Sequence, residues 1–349
     1  MLRLIKSLES AAKQALAALL AVLLWRPWRR ARLAALSSAK RILLVRIDHR
    51  VGEVLLTTPL INRLPGREVH LLVHPKMVRI ADGLPGVTRV WANEKSLRSL
   101  GELRAQQFDA VINCGNWSTP AVTSAIVTRL IASAGLCVGP ATAPASWLMD
   151  VKVAPLVDQP SETVQRAHLV DGLRPSAEPL RLSFRAPRPD PTVTTFIASL
   201  PSRFAVVNPG GRLDERRVPP AAFAAGATSM ALQGVTPVVT WGPGEEALAD
   251  QLCALCPSAR RAVATDIDGL ASLLAGSVMA LCNNTGPMHL SVAVRCPTLA
   301  LFSRIDMARW SHPQAPHRAT DVTHLLGDDQ ALTRLVSSEV TSFLGSLSR

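Results

Sequence analysis

Two carboxylates and a histidine lie in a short loop near the start of the chain. Asp48, His49 and Glu53 follow the largely aliphatic run 42–47 and precede a segment with helical spacing. A carboxylate held beside a substrate hydroxyl can take its proton as a general base. The loop therefore predicts Glu53 and Asp48 as the candidate catalytic residues.

A second polar turn, 281–290, has the residue types that begin a helix. Asn284 and Thr285 supply capping side chains, and Gly286-Pro287 suits the first helical turn after an apolar strand. The free N–H groups and the dipole of such a helix start can bind a diphosphate without a metal. The turn predicts a phosphate site, although an ordinary strand-to-helix turn would contain similar residues.

Two further turns end strands in the second half of the chain. Asn208 and Gly210 open a loop that continues to Arg216, in which glycine admits a ligand close to the backbone and arginine pairs with phosphate. A solvated charged loop would have the same composition. Glu245 follows the Gly-rich turn 240–244, where a carboxylate either accepts hydrogen bonds from ribose hydroxyls or offsets a helix dipole. No Gly-x-Gly-x-x-Gly follows the first strand of either half, which argues against a nicotinamide or flavin enzyme.

The elements that must position these turns alternate in type from residue 41 onward. Short aliphatic runs alternate with helix-period segments, the pattern of a parallel sheet covered by helices. Strands are predicted at 42–47, 69–73, 110–113, 204–208, 237–241, 261–264, 278–282 and 298–302. The Pro-rich stretch 186–191 predicts a linker, since it cannot continue a central strand or a helix. The predicted fold is therefore α/β, with Rossmann-like doubly wound domains at 41–187 and 192–340 and a cleft at the carboxyl ends of their strands.

Residues 1–40 are predicted to form a basic amphipathic helix that associates with a membrane. They carry eight Lys and Arg residues against Glu9 alone, and apolar residues recur at helical spacing. The apolar run 15–25 is too short to span a bilayer, and Trp and Arg stand where a signal peptide needs small residues. A basic helix flanked by Trp fits an interfacial anchor, while packing on the protein's own surface is the alternative.

Charge and cysteine content narrow the class of protein. The formal net charge of +12 leaves only +5 beyond residue 40, without a basic run, so nucleic acid is not an expected partner. Anionic lipid headgroups and phosphate-bearing substrates remain as expected binding partners of a basic chain. The six cysteines lie in apolar stretches, as buried thiols in a reducing compartment do, and Cys253-x-x-Cys256 lacks the further ligands of a redox or zinc site. The chain is therefore predicted to be cytoplasmic and peripheral on the inner face of a bacterial inner membrane.

Taken together, these segments resemble glycosyltransferase family 9, the ADP-heptose:lipopolysaccharide heptosyltransferases. The resemblance covers residues 41–311. It rests on ordered motifs: Gly52, Thr57 and Pro59; Pro209 and Gly210; Gly242-Pro243-Gly244-Glu245; Asn283, Thr285, Gly286, Pro287, Met288 and His289; Leu301-Phe302, Asp306 and Arg309-Trp310. It implies a GT-B fold whose second domain binds a nucleotide-sugar and whose first domain binds the acceptor. Transfer in that family inverts the anomeric centre, and no metal or other cofactor is expected.

The resemblance also assigns residues to the two substrates. The implied donor is ADP-heptose, and its expected binding residues are Asn208, Gly210, Arg216, Glu245, Asn284, Thr285, Gly286 and His289. The implied acceptor is a lipopolysaccharide core or a related lipid-linked glycan. Its expected binding residues are Arg46, His49 and Arg50.

Three motifs depart from the family pattern. The family's Asp after the first-domain Gly, its base, is Glu53 here, so the base role stays at Glu53 or moves to Asp48. The Asp of the Asn-Asp-Thr-Gly motif is Asn284, and Lys-Arg-Trp-Pro is replaced by residues 216–219, Arg-Arg-Val-Pro. Two alternatives share the fold and stay open, a catalytically silent nucleotide-sugar-binding scaffold and a nucleotide-sugar epimerase.

Overall fold

The chain folds into two compact units, Met1–Arg181 and Leu182–Arg349. The structure is a computed structural model, and it describes residues 2–24, 36–118, 121–133, 135–173, 177, 180–185, 188 and 190–347. Each unit contains one sheet, with helices between successive strands.

The first unit has a six-stranded parallel sheet. Its strands are β1 (Arg41–Arg46), β2 (Glu68–Val73), β3 (Arg89–Ala92), β4 (Ala110–Asn113), β5 (Leu136–Pro140) and β6 (Val151–Val153). Its helices are α1 (Leu2–Leu23), α2 (Val51–Leu55), α3 (Thr58–Asn62), α4 (Val78–Ala81), α5 (Leu97–Ala105), α6 (Val122–Ile131) and α7 (Glu162–His168). Short 3₁₀ helices lie at Pro75–Met77, Ala145–Leu148 and Asp171–Leu173. The strand order is β3-β2-β1-β4-β5-β6.

The second unit repeats this winding. Its strands are β7 (Phe204–Asn208), β8 (Thr236–Val239), β9 (Arg260–Arg261), β10 (Ala280–Asn283), β11 (Thr298–Phe302) and β12 (Arg318–Asp321). Its helices are α8 (Pro191–Ala198), α9 (Pro220–Leu232), α10 (Glu246–Leu255), α11 (Ile267–Gly276), α12 (Gly286–Ala293), α13 (Met307–Trp310) and α14 (Asp329–Leu347), with 3₁₀ turns at Asp214–Arg216 and Thr323–Leu325. The parallel order β12-β11-β10-β7-β8-β9 is the same doubly wound arrangement, which confirms the predicted α/β fold with two Rossmann-like units.

The central strands are aliphatic because both of their faces are buried. Residues 42–45 of β1 and 205–207 of β7 have almost no exposed surface. Outside the second sheet, α9 and α14 pack closely where α9 carries a glycine. A Cβ on Gly226 would lie 2.8 Å from Leu281 and 3.1 Å from Val336, so a larger residue there would separate these elements.

The division between the units falls a few residues before the predicted linker. Leu182 and Phe184 are buried, and the Phe184 amide donates to the Ala293 carbonyl at 3.2 Å. The chain therefore already packs on the second unit ahead of the Pro-rich stretch. Residues 186, 187 and 189 of that stretch lie outside the described residues.

Helix α1 packs against the first unit along one face. Ala17 is fully buried, and Leu20 and Ala21 contact the same apolar cluster. The Arg129 guanidinium donates to the Leu24 carbonyl at the end of the helix. Carbonyls in the last turn of a helix have no partner within the helix, and this hydrogen bond supplies one. The helix is thus an integral part of this unit's packing.

The other face of α1 is apolar and exposed. Leu19 is 55% exposed and Val22 74%, and Leu16 and Leu23 are also exposed. No helix in the described part of the chain is long and apolar enough to cross a membrane. The predicted flanking Trp25 and Trp28 lie outside the described residues.

Substitutions on the two faces of α1 are expected to differ in their effect on stability. Leu20→Ala removes packed methyl groups and should lower the free energy of unfolding by about 1–3 kcal/mol. Leu19→Ala is the matched control, since its side chain is exposed, and should change it by less than about 0.5 kcal/mol. Urea unfolding of both variants measures the difference, and equal effects would mean that α1 is not docked by this face.

Candidate functional site

The polar turns singled out from the sequence lie at equivalent places in the two sheets. In the first unit β1 and β4 are neighbours, and the chain winds away from them in opposite directions; β7 and β10 hold the same positions in the second unit. Loops diverge at such a switch point, so the carboxyl ends of these strands are where open α/β sheets bind ligands. The Asp48–Glu53 loop follows β1, and the turns at Asn208 and Asn284 follow β7 and β10.

A buried ion cluster of Arg46, Glu53, Glu162 and Arg166 lies behind the β1 loop. The Glu53 Oε2 accepts from the guanidinium groups of both Arg46 and Arg166, and the Arg166 Nη1 donates to the Glu53 carbonyl at 3.0 Å. The Arg166 Nε donates to the Glu162 Oε1 at 2.9 Å. All four side chains are at most 6% exposed, so two buried cations balance two buried carboxylates.

The turn after β4 supplies the remaining partners of these arginines. The Cys114 carbonyl accepts from the Arg46 Nη1, and the Asn116 Oδ1 accepts from Arg46 at 3.3 Å and from Arg166 at 3.0 Å. Both switch-point strands of the first unit therefore contribute to the cluster.

The charges around Glu53 govern its protonation. Burial disfavours the ionised carboxylate, but Arg166, Arg46 and the partly exposed Arg50 outweigh it and lower the pKa of Glu53 to about 2. Burial and the neighbouring Arg166 lower the pKa of Arg46, while Glu53 and Asp48 counteract them. Glu53 is therefore a firmly ionised member of the cluster.

Asp48 lies at the edge of the same cluster. Its side chain is 34% exposed, and its Oδ2 lies 2.7 Å from the Arg46 Nε, although outside hydrogen-bonding geometry. Its Oδ1 is enclosed and has no hydrogen-bond partner among the residues that the structure describes. His49 next to it is exposed, and its ring centroid lies 5.7 Å from that of His74.

In the second unit, Asn283 fastens the β10 turn to the β7 turn. It is buried, and its Nδ2 donates to the carbonyls of Pro209 at 2.7 Å and Gly210 at 3.2 Å. Its Oδ1 accepts from the Val218 amide at 3.1 Å. Asn208, also buried, donates to the Thr240 Oγ1 at 3.1 Å.

Glu245 braces the glycine turns on either side of it. Its Oε1 accepts from the Gly211 amide at 2.8 Å, and its Oε2 accepts from the Gly242 amide at 2.9 Å. Arg217 adds a contact to Glu245 at 3.3 Å and donates to the Gly211 carbonyl at 2.6 Å. A Cβ on Gly210 would collide with the Glu245 carboxylate, so glycine is required there for the brace to form.

Helix α12 begins at the site in the predicted way. Thr285 precedes it in an extended conformation, Pro287 lies in its first turn, and the Thr285 hydroxyl donates to the Asn283 carbonyl at 3.3 Å. The first amides of an α-helix have no acceptor within the helix, so they are available to an anion. Asn284 lies directly before this start and is half-buried.

His289 is buried on α12 and pairs with a second histidine. Its Nδ1 lies 2.9 Å from the His312 Nε2, with the rings nearly perpendicular. Burial, and then the proximity of His289 and His317, lower the pKa of His312 well below 6.5. His312 is therefore neutral, and it contacts the buried His289 of α12.

The structure brings most of the predicted residues together within each unit. Arg46, Asp48, Arg50 and Glu53 are mutual neighbours, and Asn208, Gly210 and Glu245 share one set of turns. Arg216 is exposed, whereas Arg217 makes the contacts to the turn. Sequence reasoning missed three residues that build the site, Asn116, Glu162 and Arg166, and it named Asn283 and Arg217 only as parts of motifs. Only the i,i+4 spacing of Glu162 and Arg166 could have signalled an ion pair.

Neither unit shows a metal centre within its described residues. No group of three or more His, Cys, Asp or Glu side chains is arranged to hold an ion in the described ranges. All six cysteines are free thiols, five of them buried.

Two doubly wound parallel units with polar turns at their switch points form a fold of the GT-B type. The chain belongs to glycosyltransferase family 9 (heptosyltransferase), whose sequence profile matches residues 97–334. It is therefore a glycosyltransferase. No curated protein sequence matches the chain.

Several solved structures have a similar fold. A family 9 glycosyltransferase from Veillonella parvula has a TM-score of 0.73 and 15% identity, over 88% of this chain and 97% of that one. The E. coli heptosyltransferase WaaC with ADP has a TM-score of 0.67 and 20% identity, over 88% and 99%. E. coli ADP-heptose LPS heptosyltransferase II has a TM-score of 0.67 and 16% identity, over 87% and 98%. At these identities the similarity is one of fold.

Acid is expected to destabilise the fold as Glu53 takes up a proton. Because its pKa falls from 4.5 to about 2 on folding, the contribution of its ionised form is complete above about pH 4.5 and is lost as the pH falls toward 2. Glu53→Gln removes this contribution, on the order of 3 kcal/mol at most. Urea unfolding of both proteins between about pH 3 and 6 should therefore give a shallower pH dependence for Glu53→Gln. Parallel curves would show that the cluster does not hold Glu53 ionised.

Proposed function

We propose that this chain transfers heptose from ADP-heptose to a lipopolysaccharide core or a related lipid-linked glycan, with inversion at the anomeric carbon and without a metal. The observation that carries the proposal is the braced β10–α12 turn in the second unit of a family 9 glycosyltransferase. Asn283 and Glu245 hold the neighbouring turns rigid, and the first amides of α12 supply donors for a diphosphate. Such fixed donors stabilise the charge that grows on a leaving diphosphate.

The donor is bound by the second unit in this proposal. The amides of Thr285 and Gly286, together with Arg216, hold the diphosphate. Asn284 contacts the sugar beside them. The remaining predicted donor residues are Asn208, Gly210, Glu245 and His289. Glu245 already accepts from two backbone amides, so contact with a ribose adds to its bracing role.

The acceptor is bound by the first unit. Of the three predicted residues Arg46, His49 and Arg50, the exposed Arg50 provides positive charge for an anionic glycan and the exposed His49 a hydrogen-bonding ring, whereas Arg46 is buried and paired with Glu53. A carboxylate of the Asp48–Glu53 loop takes the proton of the attacking hydroxyl. Two solved structures of the E. coli heptosyltransferase WaaC, one with ADP and one with ADP-2-deoxy-2-fluoro heptose, support the choice of donor.

The same chain is proposed to work at the inner face of the inner membrane. Helix α1 has an apolar exposed face opposite its docked face, and residues 1–40 have a large excess of basic residues. Apolar burial and attraction to anionic headgroups together favour binding of such a helix in the plane of the interface.

Membrane binding is tested by adding a charge to the exposed face of α1. Val22→Glu should weaken sedimentation with phosphatidylglycerol vesicles by roughly tenfold, since it replaces an exposed apolar side chain by a carboxylate that anionic lipid repels. Val157→Glu is the matched control, because Val157 is an exposed valine elsewhere in the same unit. If the two variants bind vesicles equally well, α1 is not the membrane contact.

The donor site is tested at Asn284. Asparagine donates and accepts hydrogen bonds, whereas ionised aspartate only accepts them. When the native sugar is bound, Asn284→Asp therefore leaves one polar group without a hydrogen-bond partner, which costs about 1–3 kcal/mol of binding free energy. The affinity of each nucleotide-sugar should be divided by the affinity of ADP, which cancels the effect of the added charge on the diphosphate. These ratios should change by roughly tenfold and re-rank the donors in Asn284→Asp.

Gln251→Glu is the control, since it makes the same amide-to-acid change at an exposed position of the second unit. Unchanged ratios in Asn284→Asp would place the sugar elsewhere. Binding of ADP-sugars without transfer to any glycan would support a silent scaffold, and sugar isomerisation without an acceptor would support an epimerase.

A further inference from the structure

We propose that Asp48 takes the proton of the acceptor hydroxyl, and that Glu53 is a positioning residue which holds Arg46 and Arg166 in place. The inference rests on the proposed function, because it assigns a step of that transfer. It is carried by the contacts of the two carboxylates and by the charge balance of the buried ion cluster.

The Glu53 carboxylate has little room left to accept a hydrogen bond from a substrate. Its side chain is 6% exposed, its Oε2 accepts from two guanidinium groups, and its Oε1 lies 3.5 Å from Arg50. An acceptor hydroxyl would have to displace a buried arginine to reach Oε2. The longer side chain of glutamate is used here to reach two arginines at once.

Asp48, unlike Glu53, has a carboxylate oxygen that can still accept a hydrogen bond. A third of its side chain is exposed, and its Oδ1 is without a hydrogen-bond partner among the described residues. Unpaired enclosed oxygens are rare in proteins because each one costs free energy. Rotation about the last bond of an aspartate side chain is soft, so this oxygen and the exposed edge of the carboxylate can exchange. A donor hydroxyl from a ligand would satisfy it.

The charge balance of the cluster separates the two candidates further. Arg46 and Arg166 are neutralised by Glu53 and Glu162, all four of them buried. A proton on Glu53 would leave a net positive charge in the interior, which is strongly disfavoured. A proton on Asp48, at the edge, leaves the four-residue cluster neutral.

Arg46 links the two carboxylates. Its Nη2 donates to Glu53 while its Nε lies 2.7 Å from the Asp48 Oδ2. Glu53 therefore fixes the position of the cation that lies beside Asp48. During transfer, the acceptor O–H bond breaks and its proton passes to Asp48 as the acceptor oxygen bonds to the anomeric carbon. The bond from that carbon to the diphosphate breaks, the electron pair leaves with the diphosphate, and Asp48 then releases its proton to water.

The test compares Asp48→Asn and Glu53→Gln in the full chain, assayed with ADP-heptose and heptose-deficient lipopolysaccharide across pH. Asp48→Asn should lower kcat by at least about 100-fold and abolish the acid limb of the pH profile. Glu53→Gln should keep an acid limb, since Asp48 is still present to accept the proton. Asp158→Asn, at an exposed turn of the same unit, is the carboxylate-to-amide control.

Thermal unfolding provides a readout that does not depend on turnover. Glu53→Gln should lower the unfolding midpoint more than Asp48→Asn, because only the former unpairs buried charges. The Asp48 role is overturned if Asp48→Asn retains turnover, or if its midpoint falls as far as that of Glu53→Gln. Absence of transfer by the wild-type chain, with these or other nucleotide-sugars, would instead overturn the proposed function and the Asp48 role with it.

Discussion

Every strand of both sheets runs parallel to its neighbours, and the rest of the structure depends on this constraint. Parallel strands end at a common edge, so the polar residues that close them collect there. The two units stabilise this edge by different means. The first unit uses ion pairs between Glu53 and the two arginines Arg46 and Arg166. The second unit uses hydrogen bonds that the Asn283 side chain donates and that the Glu245 carboxylate accepts from backbone amides. The difference matches the substrates proposed for each: an attacking hydroxyl needs a nearby carboxylate, and a diphosphate needs donors without competing negative charge.

Most of the fold could be predicted from the sequence where strands are buried on both faces. The bounds predicted for β4, β7 and β11 agree with the structure, because continuous aliphatic runs leave few alternatives. The edge strands β3, β6 and β12 were missed, since they are short, partly exposed and contain Arg or Lys. Strand β5 was also missed, because Gly139 and Pro140 within it are typical of turns.

Site residues that lie within one turn could be predicted from the sequence. Site residues that come together from distant segments could not. The helix start at Thr285 follows from local residue types, and so does the pair Asp48 and Glu53. Arg166 lies 113 residues from Glu53, and nothing in its own neighbourhood indicates that it will be fully buried against that carboxylate. The identity of the base depends on such contacts, because a carboxylate's capacity to accept a proton is set by its neighbours as much as by its place in a motif.

The docking of α1 has a consequence for the order of events during synthesis. The Leu24 carbonyl is held by Arg129, 105 residues later in the chain. At translation rates of about 5–20 residues per second, the helix emerges roughly 5–20 s before that partner exists. Throughout this interval both apolar faces of the helix are uncovered on the nascent chain. The helix therefore exists on the nascent chain before its own docking surface does. The first unit must complete its fold around a segment whose apolar faces have already had time to meet another apolar surface.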